Sequence, residues 1–527
     1  MNGVSFFDLL REGQRDQSEY CDVCIIGAGA AGIYLAVQLA SKGLDVIIVE
    51  AGDSVCRDAS EVGFNFRFSA DPYPGAIKGR AFGLGGTTSR WGGLLIPHTR
   101  HDLRDPTHVD ATTWRTIVQT VSEKSERVLK VLGYLNPGEF SEYPQKLFRN
   151  TTNALNAAGL EVAASLFLPF NYKNLAFLLN KKRTGQRLIR VFVNAIAKAW
   201  TIKTELNSRA RLQRLSAVAS NGNALHVTAN RFVIAAGAIE SSRILLELNR
   251  CADSQLLKST AKVGHYLGDH LSLSIADVAP SSLGDTARLF APRFSRDWMR
   301  SFRFVESDLP TSAPRGFAHF IFENEHKGFL LAKEVFTALQ ARRWPRVTSS
   351  EVLSSPVNIA ALAYAKYFRS SLYIPPGTKA HLQLDIEQTP NHENHISLGS
   401  DKDKFGRHVV DIRWRISDLD SSYIQASTRR ILQKWPGAKD GFPKLIPIMR
   451  NCDSSKPHDA YHPVGTCRMG NDPEAVVDYK LKVFNLSNLW VTSTGVLPSA
   501  GSANPTFTML CLTEALGERL AKSSPNI

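Results

Sequence analysis

The residues best suited to acid–base work stand near the C-terminus. Tyr461-His462-Pro463-Val464-Gly465-Thr466-Cys467-Arg468-Met469-Gly470 sets a histidine in a loop punctuated by Pro and Gly. A second loop, Gly501-Ser502-Ala503-Asn504-Pro505-Thr506, follows it. Imidazole titrates near neutrality, so His462 is a natural proton acceptor. A single histidine more often packs a core or faces water, and two further motifs raise its weight. The first is Gly27-Ala28-Gly29-Ala30-Ala31-Gly32, which fits G-x-G-x-x-G. Gly27 permits a tight turn, Gly29 lets a pyrophosphate approach the backbone, and Gly32 lets helix and strand pack closely. The helix that follows offers free N–H groups to phosphate. Glu50 lies 18 residues beyond Gly32, where an acid can bind ribose hydroxyls. The bland alternative is a glycine turn that merely connects elements. The motif alone does not separate FAD from NAD. The second is GRAFGLGGTTSRWGG at Gly79–Gly93. Its small residues would let a flat ring system lie against backbone amides. So many glycines carry an entropy cost that asks for a reason.

These residues must be held by regular elements. CDVCIIGAGAAGIYLAVQLASKGLDVIIVEAG reads as a buried strand (Asp22–Ile26), a glycine turn, a helix (about Ala30–Lys42) and a second strand (Asp45–Glu50). Continuous apolar strands around a helix signal a parallel sheet. Helical patterns follow at about Thr113–Gly133, Thr151–Gly159 and Leu188–Trp200. Strands return at Ala210–Leu215 and His226–Ala236, so the chain re-enters the first sheet there. Residues from about 280 to 450 hold HLQLDIEQ and HVVDIRWRI, which alternate as half-buried antiparallel strands do. NLWVTSTGVLPSAGSANPTFTMLCLTEALGERLA supplies a last strand, a loop and a C-terminal helix opened by Pro505.

The chain has 527 residues, 43 % hydrophobic and 21 % charged. Wholesale disorder, collagen and coiled coil are excluded. Net charge is +14, which suits anionic partners or none in particular. With no charge run of five and no known nucleic-acid module, nucleic acid is not an expected partner. Seven scattered cysteines suit a reducing compartment. Cys21-x-x-Cys24 runs into an apolar strand and reads as core filler rather than a redox motif. Neither a secretory leader nor a membrane-spanning run is read, so a cytoplasmic location is expected.

Four pieces in order carry a family resemblance: IIGAGAAGIYLA…VIIVEAG, GLGGTTSRWGG, FVIAAGAIESSRILL, and the pair HPVGTCRMG and SANPTFT. Over about residues 20–520 the chain resembles the glucose–methanol–choline (GMC) family of FAD-dependent oxidoreductases. VGHYLGDH at Val263–His270 and IEQTPNHENHISLGSDKDKFGRHVVDIRWRI are similar too. The resemblance implies an α/β chain: a Rossmann-like FAD-binding domain plus an α+β substrate domain whose antiparallel sheet roofs the flavin. The FAD domain would comprise 18–100, 203–278 and 455–527, the substrate domain 101–202 and 279–454. His462 matches the family's catalytic histidine, and Asn504 the position that holds Asn or His. In such enzymes His462 would accept the hydroxyl proton while the carbon gives a hydride to flavin N5. Asn504 would hold the substrate oxygen in line. Pro505 and Thr506 open the last helix, whose positive end would face the flavin N1–C2=O edge.

The FAD contacts carry over by position. Gly27, Gly29, Ala30, Ala31, Gly32 and Glu50 would serve the adenosine and pyrophosphate. Gly86, Thr87, Trp91 and Gly92 would lie along the pyrophosphate and flavin. The backbone at Leu212 would meet adenine, Ala236-Gly237 would close over the adenosine half, and Gly495 and Val496 would contact the cofactor before the last loop.

Three departures stand out. Relatives that tether FAD use a histidine where Arg90 stands, so non-covalent FAD is expected. Ser493 replaces an acid common in relatives. Pro390-Asn391-His392 replaces P-N-P and creates H-x-x-H with His395. That pair reads as a loop joining two strands, and no metal is expected.

The implied function is oxidation of a CH–OH group to a carbonyl, as a dehydrogenase rather than an oxidase, with the acceptor open. GGTTSRWGG is most similar to the sugar-oxidising branches, which favours a sugar or polyol. Two rivals are a non-redox or light-driven FAD protein (a lyase or decarboxylase) and a non-catalytic flavin-binding protein at a membrane surface. The basic segment Lys327–Tyr373 reads as a packed helical insertion, with peripheral contact to an anionic membrane as its alternative.

Overall fold

The structure is a computed structural model that describes residues 3–11, 16–103, 111–134, 148–180, 188–204, 210–252, 256–310, 313–348, 356–437, 441–448 and 456–522. Its first sheet is built around Gln17–Ile26, which pairs in parallel with Val46–Val49 on one side and Ala224–Ile234 on the other. Ile189–Val193 and then Val4–Asp8 extend it in parallel beyond Val46–Val49. Leu489–Val491 also pairs in parallel with Ala224–Ile234. The far edge turns antiparallel through Ala210–Val218 and Ile196–Thr204. Val46–Val49 is buried along its whole length, as strands covered on both faces must be.

The helix Ala30–Ala40 leaves the first strand, and the C-terminal helix Pro505–Lys522 packs on it. Tyr34 Oη donates to Glu514 Oε2 at 2.6 Å, and Gln38 Nε2 donates to the Glu514 carbonyl at 2.9 Å. The chain's last helix is thereby locked to its first. Cys21 and Cys24 are both fully buried in this core.

A second, antiparallel sheet runs in the order Leu445–Pro447, His270–Val278, Lys379–Glu387, Gly316–Glu323, Trp298–Glu306, Leu160–Phe167 and Leu94–Leu95. In a third, His408–Arg413 pairs with His395–Lys402 on one side and Phe66–Phe68 on the other.

Several expectations need correction. Leu188–Trp200 is not helical. Ile189–Val193 and Ile196–Thr204 are strands of the first sheet, joined at Asn194 with φ +54°. Ile, Val and Phe dominate the first of them, and that chemistry favours a strand. The segment 101–202 therefore contributes to the first sheet rather than belonging wholly to the second unit. Conversely, His270–Val278 and Leu94–Leu95 lie in the antiparallel sheet, although the resemblance implies 203–278 and 18–100 for the first unit. The basic segment forms two helices, Lys327–Gln340 and Pro356–Arg369. They pack on the body at Gln340, while many of their large apolar side chains are exposed.

Candidate active site

The C-terminal ends of Gln17–Ile26 and Ala224–Ile234 deliver two tight turns to one place. Gly27 N–H donates to the Val49 carbonyl and Ala235 N–H to the Ile26 carbonyl, each at 2.8 Å. A side chain at Gly32 would meet the Gly27 carbonyl oxygen at 1.9 Å, so only glycine lets helix and turn approach this closely. Gly29, Ala30 and Ala31 form the start of that helix, with Gly29 and Ala30 partly exposed. Ala236 and Gly237 open the helix Gly237–Cys251 beside them.

The second glycine loop closes on the first. Gly85 N–H donates to the Ala28 carbonyl at 2.9 Å, and a Cβ on Gly86 would lie 2.9 Å from Gly29 Cα. Thr87 and Gly92 are exposed on this loop. Trp91 donates its Nε1–H to the Lys173 carbonyl at 2.7 Å.

Glu50 ties the arrangement together in a way its motif does not suggest. Its carboxylate accepts from the N–H groups of Ala28 (2.6 Å), Gly52 (2.9 Å) and Gly83 (2.9 Å). Burial outweighs those donors and pushes its pKa up. Leu212 is fully buried, and both its backbone groups are engaged by Asn488: N–H to Oδ1 at 2.9 Å, carbonyl from Nδ2 at 2.8 Å.

His462 sits at the junction of the two units. Its backbone N–H donates to the Asp269 carboxylate at 2.8 and 2.9 Å. Tyr73 Oη (2.5 Å) and the His270 N–H (2.8 Å) donate to the same group. Burial and nearby Asp459 push the Asp269 carboxyl up to about 8, against these donors. The His462 ring meets a second ring: the two Nδ1 atoms of His462 and His270 are 3.1 Å apart, and His270 Nε2 is 2.9 Å from the Gly501 carbonyl oxygen. A carbonyl only accepts, so His270 carries its proton on Nε2. Burial lowers the His270 pKa, so the ring is neutral and its Nδ1 is an acceptor. His462 must then hold its proton on Nδ1, which leaves Nε2 as the basic nitrogen. Burial and the neighbouring His270 push the His462 pKa down to about 3.

The loop before the last helix is clamped by buried charge. His270 holds the Gly501 carbonyl, and His98 Nε2 holds that of Ala500 at 2.8 Å. Asp102 accepts from Ser502 N–H (2.7 Å) and Oγ–H (2.8 Å), while Arg303 donates to the Ser502 carbonyl at 2.5 Å. Glu387 accepts from Ser499 Oγ at 2.7 Å and from Gly501 N–H at 3.0 Å. Arg315 pairs bidentately with Glu387, both bonds being 2.7 Å. Burial alone would raise the Glu387 pKa, but Arg315 and Ser499 hold it below the usual carboxylate range. Motif reading missed His98, Asp102, His270, Arg303, Arg315 and Glu387. Their one sequence signal is a charged or imidazole group beside an apolar strand, as in His270 of VGHYLGDH and Glu387 of HLQLDIEQ.

The clamped loop presents Asn504, followed by Pro505 and Thr506 at the start of the helix Pro505–Lys522. Asn504 Oδ1 is buried with no hydrogen-bond partner. The Ser493 Oγ, before the turn Thr494–Val496, is a second such atom. The carbonyls of Gly495 and Val496 in that turn accept from Cys467 and Met469, fastening it to the His462 segment. Buried polar atoms normally find partners. Two orphans and a pair of glycine turns that exclude side chains fit a bound dinucleotide with a polar ring system. Elsewhere, His265 stacks on His392 and His395 with ring centroids 4.2 and 5.1 Å apart. Among the described residues no cluster of three or more His, Cys, Asp or Glu is arranged to hold a metal ion.

Comparison with known proteins agrees with this geometry. The GMC oxidoreductase family profile matches residues 390–513, and the FAD dependent oxidoreductase profile matches residues 22–65. The chain is 24 % identical to 6'''-hydroxyparomomycin C oxidase of Streptomyces lividus, over 96 % of this chain and 92 % of that protein. It is 25 % identical to paromamine 6'-oxidase of Streptomyces fradiae, over 94 % and 90 %. Formate oxidase of Aspergillus oryzae RIB40 shares the fold, with a TM-score of 0.58 at 15 % identity over 95 % of this chain and 98 % of that one. The architecture is that of GMC-type flavoproteins: a Rossmann-like cofactor domain and a substrate domain with an antiparallel sheet. The cofactor is FAD, and the chain is an FAD-dependent oxidoreductase.

Proposed function

We propose that this protein oxidises the CH–OH group of a sugar- or polyol-like alcohol to a carbonyl, with His462 as the base. FAD, when bound, supplies the two-electron acceptor for the hydride that leaves the substrate carbon. His462 Nε2 takes the hydroxyl proton, and the C–O bond becomes a double bond as the C–H pair departs. Asn504 orients the substrate oxygen through its amide N–H, since the one hydroxyl proton goes to His462. The start of the helix at Pro505 and Thr506 turns its positive end to the reaction centre. The observation that carries this reading is the relay from the Gly501 carbonyl through His270 to His462. It fixes one tautomer and leaves the right nitrogen free.

Three finer points belong to the same reading. The names of the two Streptomyces relatives point to hydroxyl groups on amino sugars, which favours a carbohydrate-like substrate. Arg90 bonds Cys56 Sγ at 2.8 Å and pairs with Asp58, and it cannot tether a flavin as an imidazole can; FAD is held non-covalently. The turnover is that of a dehydrogenase. The test is incubation of the holoenzyme with sugars, amino sugars, polyols and simple alcohols plus an artificial electron acceptor. A product lighter by one hydrogen molecule, with a new carbonyl, is expected from a polyhydroxylated member. No carbonyl product from any alcohol would overturn the reading, and equal turnover with oxygen alone would overturn the dehydrogenase assignment.

A further inference from the structure

The two helices of the basic segment expose apolar surface that a water-facing helix would hide. In Pro356–Arg369, Val357, Ala360, Tyr364, Tyr367 and Phe368 fall on one face by helical spacing, and all are exposed. The one buried side chain described in that helix is Ala365, off the edge of that face. Exposure reaches 82 % for Val357, 71 % for Tyr367 and 79 % for Phe368, and 92 % for Trp344 between the helices. Of the 18 large apolar side chains exposed among the described residues, nine lie between Leu330 and Phe368. Such clustering marks an interaction face rather than the usual scatter.

Charge selects the occupant. Lys327, Lys333, Arg342, Arg343, Arg346, Lys366 and Arg369 lie in the same segment, Lys366 pairing with Asp297, and Glu334 is the only acid among the described residues from 327 to 373. Glu334 is taken up by Arg343. A second copy of the chain meeting this face across a two-fold axis would set cations against cations. An anionic bilayer answers both features: Trp, Tyr and Phe seat at the headgroup level, and Lys and Arg meet lipid phosphates. The helices are also firmly placed. Gln340 Nε2 donates to the carbonyls of Thr88 and Trp91, each at 2.9 Å, and Phe336 packs on Phe170, the rings tilted by 34° with centroids 4.4 Å apart.

We propose that residues 327–348 and 356–369 form a docking face for an anionic lipid bilayer, lying in the plane of the interface beside the second glycine loop. The test is vesicle flotation of the holoenzyme with phosphatidylcholine alone or mixed with phosphatidylglycerol, at low and high salt. The charge-neutral variant Tyr367→Ser/Phe368→Ser and the single variant Trp344→Ser are compared with it. The wild type is expected to float with the mixed vesicles, much less with the neutral ones, and less at high salt. Partitioning should fall at least about tenfold for each aromatic removed, while soluble alcohols still reduce the flavin at the wild-type rate. No flotation with anionic vesicles would overturn the proposal. So would variants that float as the wild type does, since diffuse positive charge would then explain binding. Light scattering supplies the third outcome that overturns it: a wild-type dimer that Phe368→Ser converts to monomer.

Discussion

Replacing His270 tests the tautomer relay without touching the base. In His270→Leu, the Nδ1–H of His462 loses the acceptor 3.1 Å away, and the Gly501 carbonyl loses a donor at 2.9 Å. A buried group left unpaired costs about 1–3 kcal/mol. Since each ~1.4 kcal/mol is tenfold in rate, flavin reduction at saturating alcohol should slow by about 10- to 100-fold. A tautomer wholly mis-set would set the outer limit, on the order of 10⁴-fold. His270→Asn provides the rescue. Its Oδ1 stands where the imidazole Nδ1 stood and accepts the same proton, so the rate should return to within about tenfold of wild type. The assay is anaerobic stopped-flow of the flavin band across substrate concentration, with thermal unfolding as the folding control. The loss should fall on the limiting rate and leave the half-saturating concentration little changed. A folded, flavin-loaded His270→Leu that reduces at the wild-type rate would refute the relay. So would His270→Asn behaving no better than His270→Leu.

The pH profile offers a second check. The ordinary histidine value of 6.5 is pushed down to about 3 at His462, so the base is unprotonated across the working range. The acid limb of the reduction rate should show no inflection between about 6 and 7; a clear one there contradicts the assigned environment. The same shift acts on stability. Between 6.5 and about 3 the unfolded chain takes up a proton that His462 refuses, so this contribution is present above 6.5 and is lost as acid is added. In the loop clamp, Arg315→Met leaves Glu387 a buried carboxylate without its bidentate cation. It should destabilise the protein by about 3–5 kcal/mol in denaturant titrations; a loss under about 1 kcal/mol would count against the clamp. Gly86→Val forces a side chain where Gly29 Cα would stand 2.9 Å from the Cβ. The purified variant should carry less flavin per chain by its visible absorbance, and full loading would show that the two loops need not touch.

The parts of the molecule legible in sequence are those whose physics is local. The glycine turn at Gly27–Gly32 needs particular residues over a few positions, and the strand–turn–helix around it follows. The loops bearing His462 and Asn504 are marked by Pro and Gly in the same way. What stayed hidden depends on contacts between distant segments. Asp102 meets Ser502 across 400 positions, and Glu387 meets Gly501 across 114. No spacing rule reaches that far. Glu50 was visible as an acid at a strand end, but its bonds to Ala28 and Gly83 needed the folded loops. Leu188–Trp200 misled because a short apolar run suits a helix or a strand, and only pairing with Val46–Val49 decides between them. The outward apolar face of Pro356–Arg369 has a helix's period in sequence, yet sequence cannot say which way that face points.

The central claim is that His462 removes a proton from an alcohol that reduces bound flavin. Its most direct test is anaerobic mixing of the wild type and His462→Ala, both loaded with FAD, with the alcohol that best bleaches the wild type. The account predicts that His462→Ala retains its flavin and bleaches about 10²- to 10⁴-fold more slowly. Bleaching of His462→Ala at the wild-type rate would contradict it.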